Sequence, residues 1–385
     1  MDSAASTPVA DEVIAEMMPF MKEQYGNPSS IHSFGRETTR AIQLARSRVA
    51  NLIGALPPEI TFTSGGTEAD NLALQGVAIH ARNSGKPIRI ITSSIEHDAV
   101  LEPCKEMERM GFRVTYLPVT RDGIVTPSAL KDAIAPDVVL VSIMYANNEV
   151  GTIQPIKELS EIAHKAGALF HTDAVQAAGK IPINVKELGI DLMSISSHKI
   201  NGPKGIGALF IRSGLKLAPI LHGGGQEASL RSGTENVPGI VGFGKACELA
   251  AERMDQYRQR VTELRDYLVK RVLQEIPHSR LNGSRTDRIP GNAHFTFFGV
   301  NGEDLIIKLD ENGIAASTGS ACSVKRQKPS HVLKAMGFSY EEITGSLRLS
   351  LGMYNTKEEI DELVSSLSRV VSELRQLSPF KSKYA

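Results

Sequence analysis

The chain has 385 residues, with 43 lysines and arginines against 43 aspartates and glutamates, a net charge of zero. That balance excludes the basic footprint of a nucleic-acid binder or of a membrane-surface helix, and no run reaches the ~18 apolar residues that span a bilayer. At roughly 150 residues per domain, the length predicts two or three domains with room for a cleft between them. In chain order, seven runs rich in Val, Ile and Leu fall at Ile60–Thr63, Ile88–Thr92, Val114–Leu117, Val138–Met144, Ala168–His171, Leu192–Ser196 and Gly207–Ile211. They show little polar alternation, as strands buried on both faces do. Helical patterns at Glu68–Arg82, Ala99–Met110 and Ile156–Ala166 lie between them. This alternation predicts an α/β fold around a mostly parallel sheet. From Gln256 the pattern changes. Val261, Leu264, Leu268, Val272 and Ile276 mark a long amphipathic helix over Gln256–Glu275. Short strands at Ala293–Phe298 and Leu347–Leu351 and helices at Glu303–Glu311 and Lys357–Gln376 follow. The expected division is a large domain over 11–255 and a smaller α+β domain made of 256–385 with 1–10.

The first residues carry no cationic stretch followed by an apolar run, so no signal peptide is expected. The three cysteines, Cys104, Cys247 and Cys322, are far apart and odd in number. They predict a reducing, cytoplasmic setting rather than a disulfide framework. No CxxC or HExxH occurs, so no dedicated metal site is expected.

In parallel α/β sheets, ligands bind beyond the carboxyl ends of the strands. Ser64-Gly65-Gly66-Thr67 follows the first run and opens a helix. Its N–H groups, hydroxyl and helix N-terminus suit a phosphate, although such a turn also serves as a plain cap. His97 follows the second run, Asn148 the fourth, Asp173 and Gln176 the fifth, and His198 and Lys199 the sixth, which itself ends in Ser196. Taken singly, His97 reads equally as a capping or core histidine, Asp173 as an N-cap and Lys199 as a solvated lysine. Taken together, they meet the needs of pyridoxal phosphate. A lysine amine forms a Schiff base with an aldehyde, a carboxylate faces the ring nitrogen, and the glycine turn cradles the phosphate. In a chain without tryptophan, an imidazole stacks on the ring.

Cys322 lies in Ser317-Thr318-Gly319-Ser320-Ala321-Cys322-Ser323-Val324-Lys325-Arg326, a stretch that is small, polar and then basic. This predicts an exposed loop whose cations favour a thiolate, against the alternative of a small buried cysteine. Cys104 and Cys247 sit on helical patterns beside apolar residues and read as packing residues.

Seven stretches in order carry a specific resemblance: Gly26-Asn27-Pro28-Ser29-Ser30, Phe62-Thr63-Ser64-Gly65-Gly66-Thr67-Glu68, Ala146-Asn147-Asn148-Glu149-Val150-Gly151, His171-Thr172-Asp173-Ala174-Val175-Gln176, Ser196-Ser197-His198-Lys199, Arg231-Ser232-Gly233-Thr234 and the stretch ending in Cys322. Over nearly its whole length the chain resembles the NifS/IscS-type cysteine desulfurases, fold-type I pyridoxal-phosphate enzymes of the class V aminotransferase group. The resemblance implies a large domain with a mostly parallel seven-stranded sheet and a smaller α+β C-terminal domain. It implies that Lys199 holds the cofactor, with His97 stacked on the ring as acid/base, Asp173 at the ring nitrogen and Gln176 at the ring hydroxyl. Asn148 would place the ring and the substrate carboxylate. Gly66, Thr67, Ser196 and His198 would hold the phosphate, and Thr234 would reach the phosphate of the other subunit of a homodimer. Arg348 would bind the substrate carboxylate. Cys322 would take sulfur from L-cysteine as a persulfide, leave L-alanine, and pass the sulfur to an iron–sulfur scaffold protein or a sulfur carrier.

Several positions depart from the family pattern. Met1 directly precedes Asp2, where the family has further apolar residues, so a clipped first strand is expected. Gly66 stands for a frequent alanine and is expected only to loosen the turn. Ser197 stands for Gly or Ala, and Met353 for a frequent arginine. The rival readings are a selenocysteine lyase or another class V enzyme, and a non-catalytic scaffold-binding protein that lends Cys322 as a transient iron–sulfur ligand. A plain aminotransferase has no need of a thiol at 322, and a non-catalytic protein has no need of Lys199. A nicotinamide enzyme is disfavoured because no GxGxxG follows the first strand.

Overall fold

The computed structural model describes residues 1–83, 85, 88–319, 329–378 and 381–384. Seven strands form one sheet: β1 (Ile60–Thr63), β2 (Arg89–Ser93), β3 (Arg113–Leu117), β4 (Val138–Ser142), β5 (Leu169–Asp173), β6 (Leu192–Ser196) and β7 (Gly207–Ile211). Their order is β1-β7-β6-β5-β4-β2-β3. β7 runs antiparallel to both of its neighbours, and the other six run in one direction.

Alternate residues of these strands face opposite cores. Ile91, Val141, Phe170, Met193 and Phe210 belong to one apolar cluster, while Ile90, Leu140, Leu192 and Leu209 belong to another. That two-sided burial is why the strands lack polar alternation in sequence. The helices of this part are α1 (Asp11–Lys22), α2 (Ser33–Ile53), α3 (Gly66–Asn83), α4 (Asp98–Arg109), α5 (Pro127–Ala133), α6 (Ile156–Lys165) and α7 (Val237–Glu252). The sequence reading did not single out α7, where Gly239, Gly242 and Gly244 weaken the helical signal. The glycines serve close packing instead. A Cβ at Gly244 would lie 2.6 Å from Ala45 Cα, and one at Gly242 would lie 2.5 Å from Met17 Sδ.

Beyond α8 (Met254–Glu275), a second sheet forms from β8 (Ser279–Asn282), β9 (Asn292–Phe297) and β10 (Ser346–Ser350), ordered β10-β9-β8 and antiparallel throughout. α9 (Gly302–Asp310), α10 (His331–Ala335), α11 (Tyr340–Thr344) and α12 (Lys357–Leu377) complete this part. Val261, Leu268, Phe295, Phe297, Leu347, Leu349, Leu363 and Leu367 build its separate core.

The first ten residues join the two sheets. Asp2 bridges to Ser350 on β10, and Ser3 N–H donates to the Ser350 carbonyl at 3.1 Å. Further on, Thr7 N–H donates to the His198 carbonyl and Ala10 N–H to the Asn201 carbonyl, both at 3.0 Å. Residues 4–6 are thereby laid across the carboxyl ends of β5 and β6.

Candidate active site

A cavity of about 240 Å³ opens at those strand ends. Gly66, Thr67, His97, Asn148, Asp173, Gln176, Ser196, His198, Lys199 and Arg348, ten residues expected from sequence to form the site, all line it. They come from the turn after β1, the N-terminus of α4, the loop after β4, the ends of β5 and β6, and β10 of the second sheet. Thr234 is exposed and lies outside this lining. Cys322 lies outside the described residues. Cys104 and Cys247 are buried free thiols in the two cores of the larger sheet, as packing residues should be. Burial pushes the Cys104 thiol up to about 12 and the Cys247 thiol also upward.

The phosphate-like end is built from the glycine turn. Gly66 opens α3, an 18-residue helix whose first two residues, Gly66 and Thr67, line the cavity. The first N–H groups of a helix have no partner within it. A Cβ at Gly66 would lie 2.7 Å from Val175 Cγ2. The glycine therefore does more than loosen the turn: it makes room for a β-branched neighbour with few rotamers. Glu68 in the first turn of α3 accepts from Ser64 N–H at 2.7 Å and pairs with Arg231 at 2.9 Å, which fixes the glycine turn from outside. His198 is half-buried. Burial and the charges of Lys199, Lys204 and Lys180 lower it to about 4, so at neutral pH it is an uncharged ring.

Around the rest of the cavity the donors and acceptors face one another. His97 caps α4, its Nδ1 accepting from Ala99 N–H at 3.0 Å. In the neutral ring this puts the proton on Nε2. The capping role and the cavity-lining role coexist in one side chain. Asp173 is buried, and its Oδ1 accepts from Val175 N–H at 2.9 Å. Burial raises its pKa above the ordinary carboxylate value, while the Val175 N–H bond and the charges of His97 and Lys199 pull it back down. Lys199 sits in a short turn directly after β6, and its Nζ donates to the carbonyls of Ala4 at 2.6 Å and Ala5 at 2.8 Å. Gln176 Nε2 donates to the same Ala4 carbonyl at 3.0 Å. Arg348, the largest fully buried side chain, donates through Nη1 to the Asn148 carbonyl at 2.9 Å and pairs through Nη2 with Asp2 at 2.8 Å.

The donor set fits pyridoxal phosphate. The amine, the carboxylate and the imidazole line one cavity. Asn148 Oδ1 and Arg348 Nε are buried polar atoms with no partner among the described residues, as groups awaiting a ligand should be.

Sequence reasoning missed three contributors. Asp70 lines the cavity one turn beyond Gly66, a helical spacing that marks it in retrospect. Its carboxyl is pushed well above the usual range by burial and by Asp173. Glu96, next to His97, is buried, and burial raises it to about 8. The backbone of Ala4 and Ala5 arrives from nearly 200 residues away, and no local pattern signals it.

Residues 1–363 match the Aminotransferase class-V family. The chain is 53% identical over 384 residues to "Cysteine desulfurase IscS" of Dictyoglomus turgidum, covering 100% of this chain and 97% of that one. Among solved structures, "NIFS-LIKE PROTEIN" superposes with a TM-score of 0.91 at 40% identity, over 97% of this chain and 99% of that one. "SspA in complex with cysteine" superposes with a TM-score of 0.82 at 38% identity, over 92% of this chain and 99% of that one.

Proposed function

We infer, from the premise that the chain belongs to the class-V aminotransferase family and within it to the cysteine desulfurases, that it is a pyridoxal-phosphate-dependent cysteine desulfurase that converts L-cysteine to L-alanine and passes on the sulfur. The observation that carries this reading is the convergence of Lys199, Asp173, His97, Gln176 and Arg348 on one cavity at the strand ends.

When bound, pyridoxal phosphate supplies an electron sink for the substrate Cα. Its phosphate would rest on Gly66, Thr67, Ser196 and His198, its ring nitrogen on Asp173, its ring hydroxyl on Gln176 and its ring face on His97. Lys199 would hold the aldehyde carbon through its amine and, once released by substrate, carry a proton at Nζ. Arg348 and Asn148 would orient the substrate carboxylate. The Cys322 thiolate attacks the substrate sulfur and forms a sulfur–sulfur bond as the Cβ–sulfur bond breaks. The electron pair of the broken bond stays with carbon and is protonated, giving alanine, and Cys322 keeps the persulfide.

The remaining elements of the reading follow from this premise. We assign the acceptor to an iron–sulfur scaffold protein or a sulfur carrier. We assign a homodimer because Ile14, Met18 and Met21, spaced to share one face of α1, are exposed together with Tyr25, Ile31 and Phe34 that follow it. Exposed Thr234 would then reach the other subunit's phosphate. We divide the chain into domains 11–255 and 1–10 with 256–385, in keeping with the separate cores of the two sheets. A cytoplasmic setting suits the free thiols at Cys104 and Cys247, and no helix among the described residues is long and apolar enough to cross a membrane. The test is to load the protein with pyridoxal phosphate, add L-cysteine and a thiol reductant, and quantify sulfide and alanine. Equal amounts of both support the reading. A yellow protein that releases neither acts on another amino acid, which overturns it.

A further inference from the structure

Gln176 can offer either its N–H₂ or its carbonyl to a ligand, and the two choices are opposite in chemistry. A group that settles the choice is present four residues on. Lys180 is buried, and its Nζ donates to Gln176 Oε1 at 3.1 Å. This is the hydrogen bond its amine makes among the described residues, and it pairs with no carboxylate there. A buried amine without a counter-ion is costly to keep, and the local backbone is shaped to keep it. The turn over 174–181 is closed by Ala178 N–H to the Ala174 carbonyl at 2.8 Å and by Ile181 N–H to the Ala177 carbonyl at 3.2 Å. Gly179 stands in it at φ +73°, where a Cβ would lie 2.6 Å from Ile200 Cγ2. The turn thus lodges Gly179, the neighbour of Lys180, against Ile200, the residue that follows Lys199. Lys180 and Lys199 line the same second cavity, of about 400 Å³, behind the N-terminal segment.

We propose that Lys180 is a positioning residue, whose amine holds Gln176 Oε1 and so fixes the Gln176 amide with its N–H₂ group turned toward the ring hydroxyl of the cofactor. The inference rests on the reading of Gln176 as the ring-hydroxyl contact. An amine is a donor, so the oxygen it engages must be the amide carbonyl, and the opposite edge of the amide is then a donor as well. In the present structure that edge donates to the Ala4 carbonyl. A donor at the ring hydroxyl stabilises its anionic form and lowers the pH at which the cofactor's visible absorption band titrates. The charged and titratable groups that act on the Lys180 amine are Lys199 beyond β6, Arg348 on β10 with its partner Asp2, and His198, while Arg253 and Tyr257 line the second cavity with it. Burial, Lys199 and Arg348 together lower the amine to about 7. Neutral or charged, it retains N–H protons to donate.

The test is a pH titration of the visible band of the cofactor-loaded protein in the wild type, Lys180→Met, Gln176→Leu and the double variant. Each single change raises the titration midpoint by about half a unit to one unit, the size of one lost hydrogen bond, and the double change raises it no further. Lys180→Arg, which keeps a donor, stays near the wild type. A shifted Gln176→Leu beside an unshifted Lys180→Met overturns the role of Lys180 while leaving that of Gln176. An unshifted Gln176→Leu overturns both. A Lys180→Arg midpoint as displaced as that of Lys180→Met assigns the effect to packing and also overturns the proposal.

Discussion

Arg348 Nη2 and Asp2 Oδ1 lie 2.8 Å apart across 346 residues of sequence. The guanidinium is 2% exposed, so the ion pair anchors the N-terminal segment to β10 and neutralises a buried cation. Asp2→Ala leaves that cation unpaired and lowers stability by about 1.5–3 kcal/mol, the range for a hydrogen bond to a charged group. Denaturant unfolding of the variant measures this. If Arg348 receives the substrate carboxylate, L-alanine restores part of the lost melting temperature in Asp2→Ala and raises the wild type less. Equal shifts in the two proteins would remove Arg348 from substrate binding.

At the phosphate end, Gly66 and Val175 form a matched pair. Because a methyl at 66 would lie 2.7 Å from Val175 Cγ2, Gly66→Ala forces the turn or Val175 aside. Cofactor dissociation measured by the loss of visible absorbance should accelerate on the order of tenfold, about 1.4 kcal/mol. Adding Val175→Ala restores most of the affinity, because the obstructing carbon is gone. Two independent, additive losses would show that the contact is not the cause.

Glu96 couples the site to pH. Its Oε1 accepts from Ser93 Oγ at 2.6 Å and from Met144 N–H at 3.0 Å, and burial raises it from an ordinary 4.5 to about 8. Between those values the folded protein holds a proton that the unfolded chain has released, so stability falls as pH rises through that window. Glu96→Gln mimics the protonated form and removes this contribution. Melting temperatures across the window should decline more steeply in the wild type than in Glu96→Gln. Parallel curves would mean that Glu96 is ionised in the folded protein.

The strand ends were legible because a sheet buried on both faces writes continuous apolar runs, and the polar residues just after each run stand out against them. β1, β6 and β7 begin and end where the sequence places them. His97, Asp173 and Lys199 stand out this way, and His97 also keeps the capping role that a plainer reading assigns. Asp173, by contrast, opens a turn instead of capping a helix, its Oδ1 accepting from Val175 N–H, and Lys199 is held by the Ala4 and Ala5 carbonyls instead of by solvent. Helix α7 was obscured by glycines whose purpose is close contact with α1 and α2. The Ala4 carbonyl that receives both Lys199 and Gln176 is a backbone atom brought by tertiary pairing with β10, and side-chain identity carries no trace of it. Lys180 was passed over because one lysine among 43 basic residues looks solvated until its burial is seen.

The most direct test of the central claim is mass spectrometry of the cofactor-loaded protein, without reductant, after exposure to L-cysteine. One added sulfur atom on the peptide containing Cys322, absent from Lys199→Ala, is the predicted result: Lys199 makes the sulfur available and Cys322 receives it. Alanine formed with no sulfur on Cys322, or sulfur on Cys322 in Lys199→Ala as in the wild type, would contradict the account.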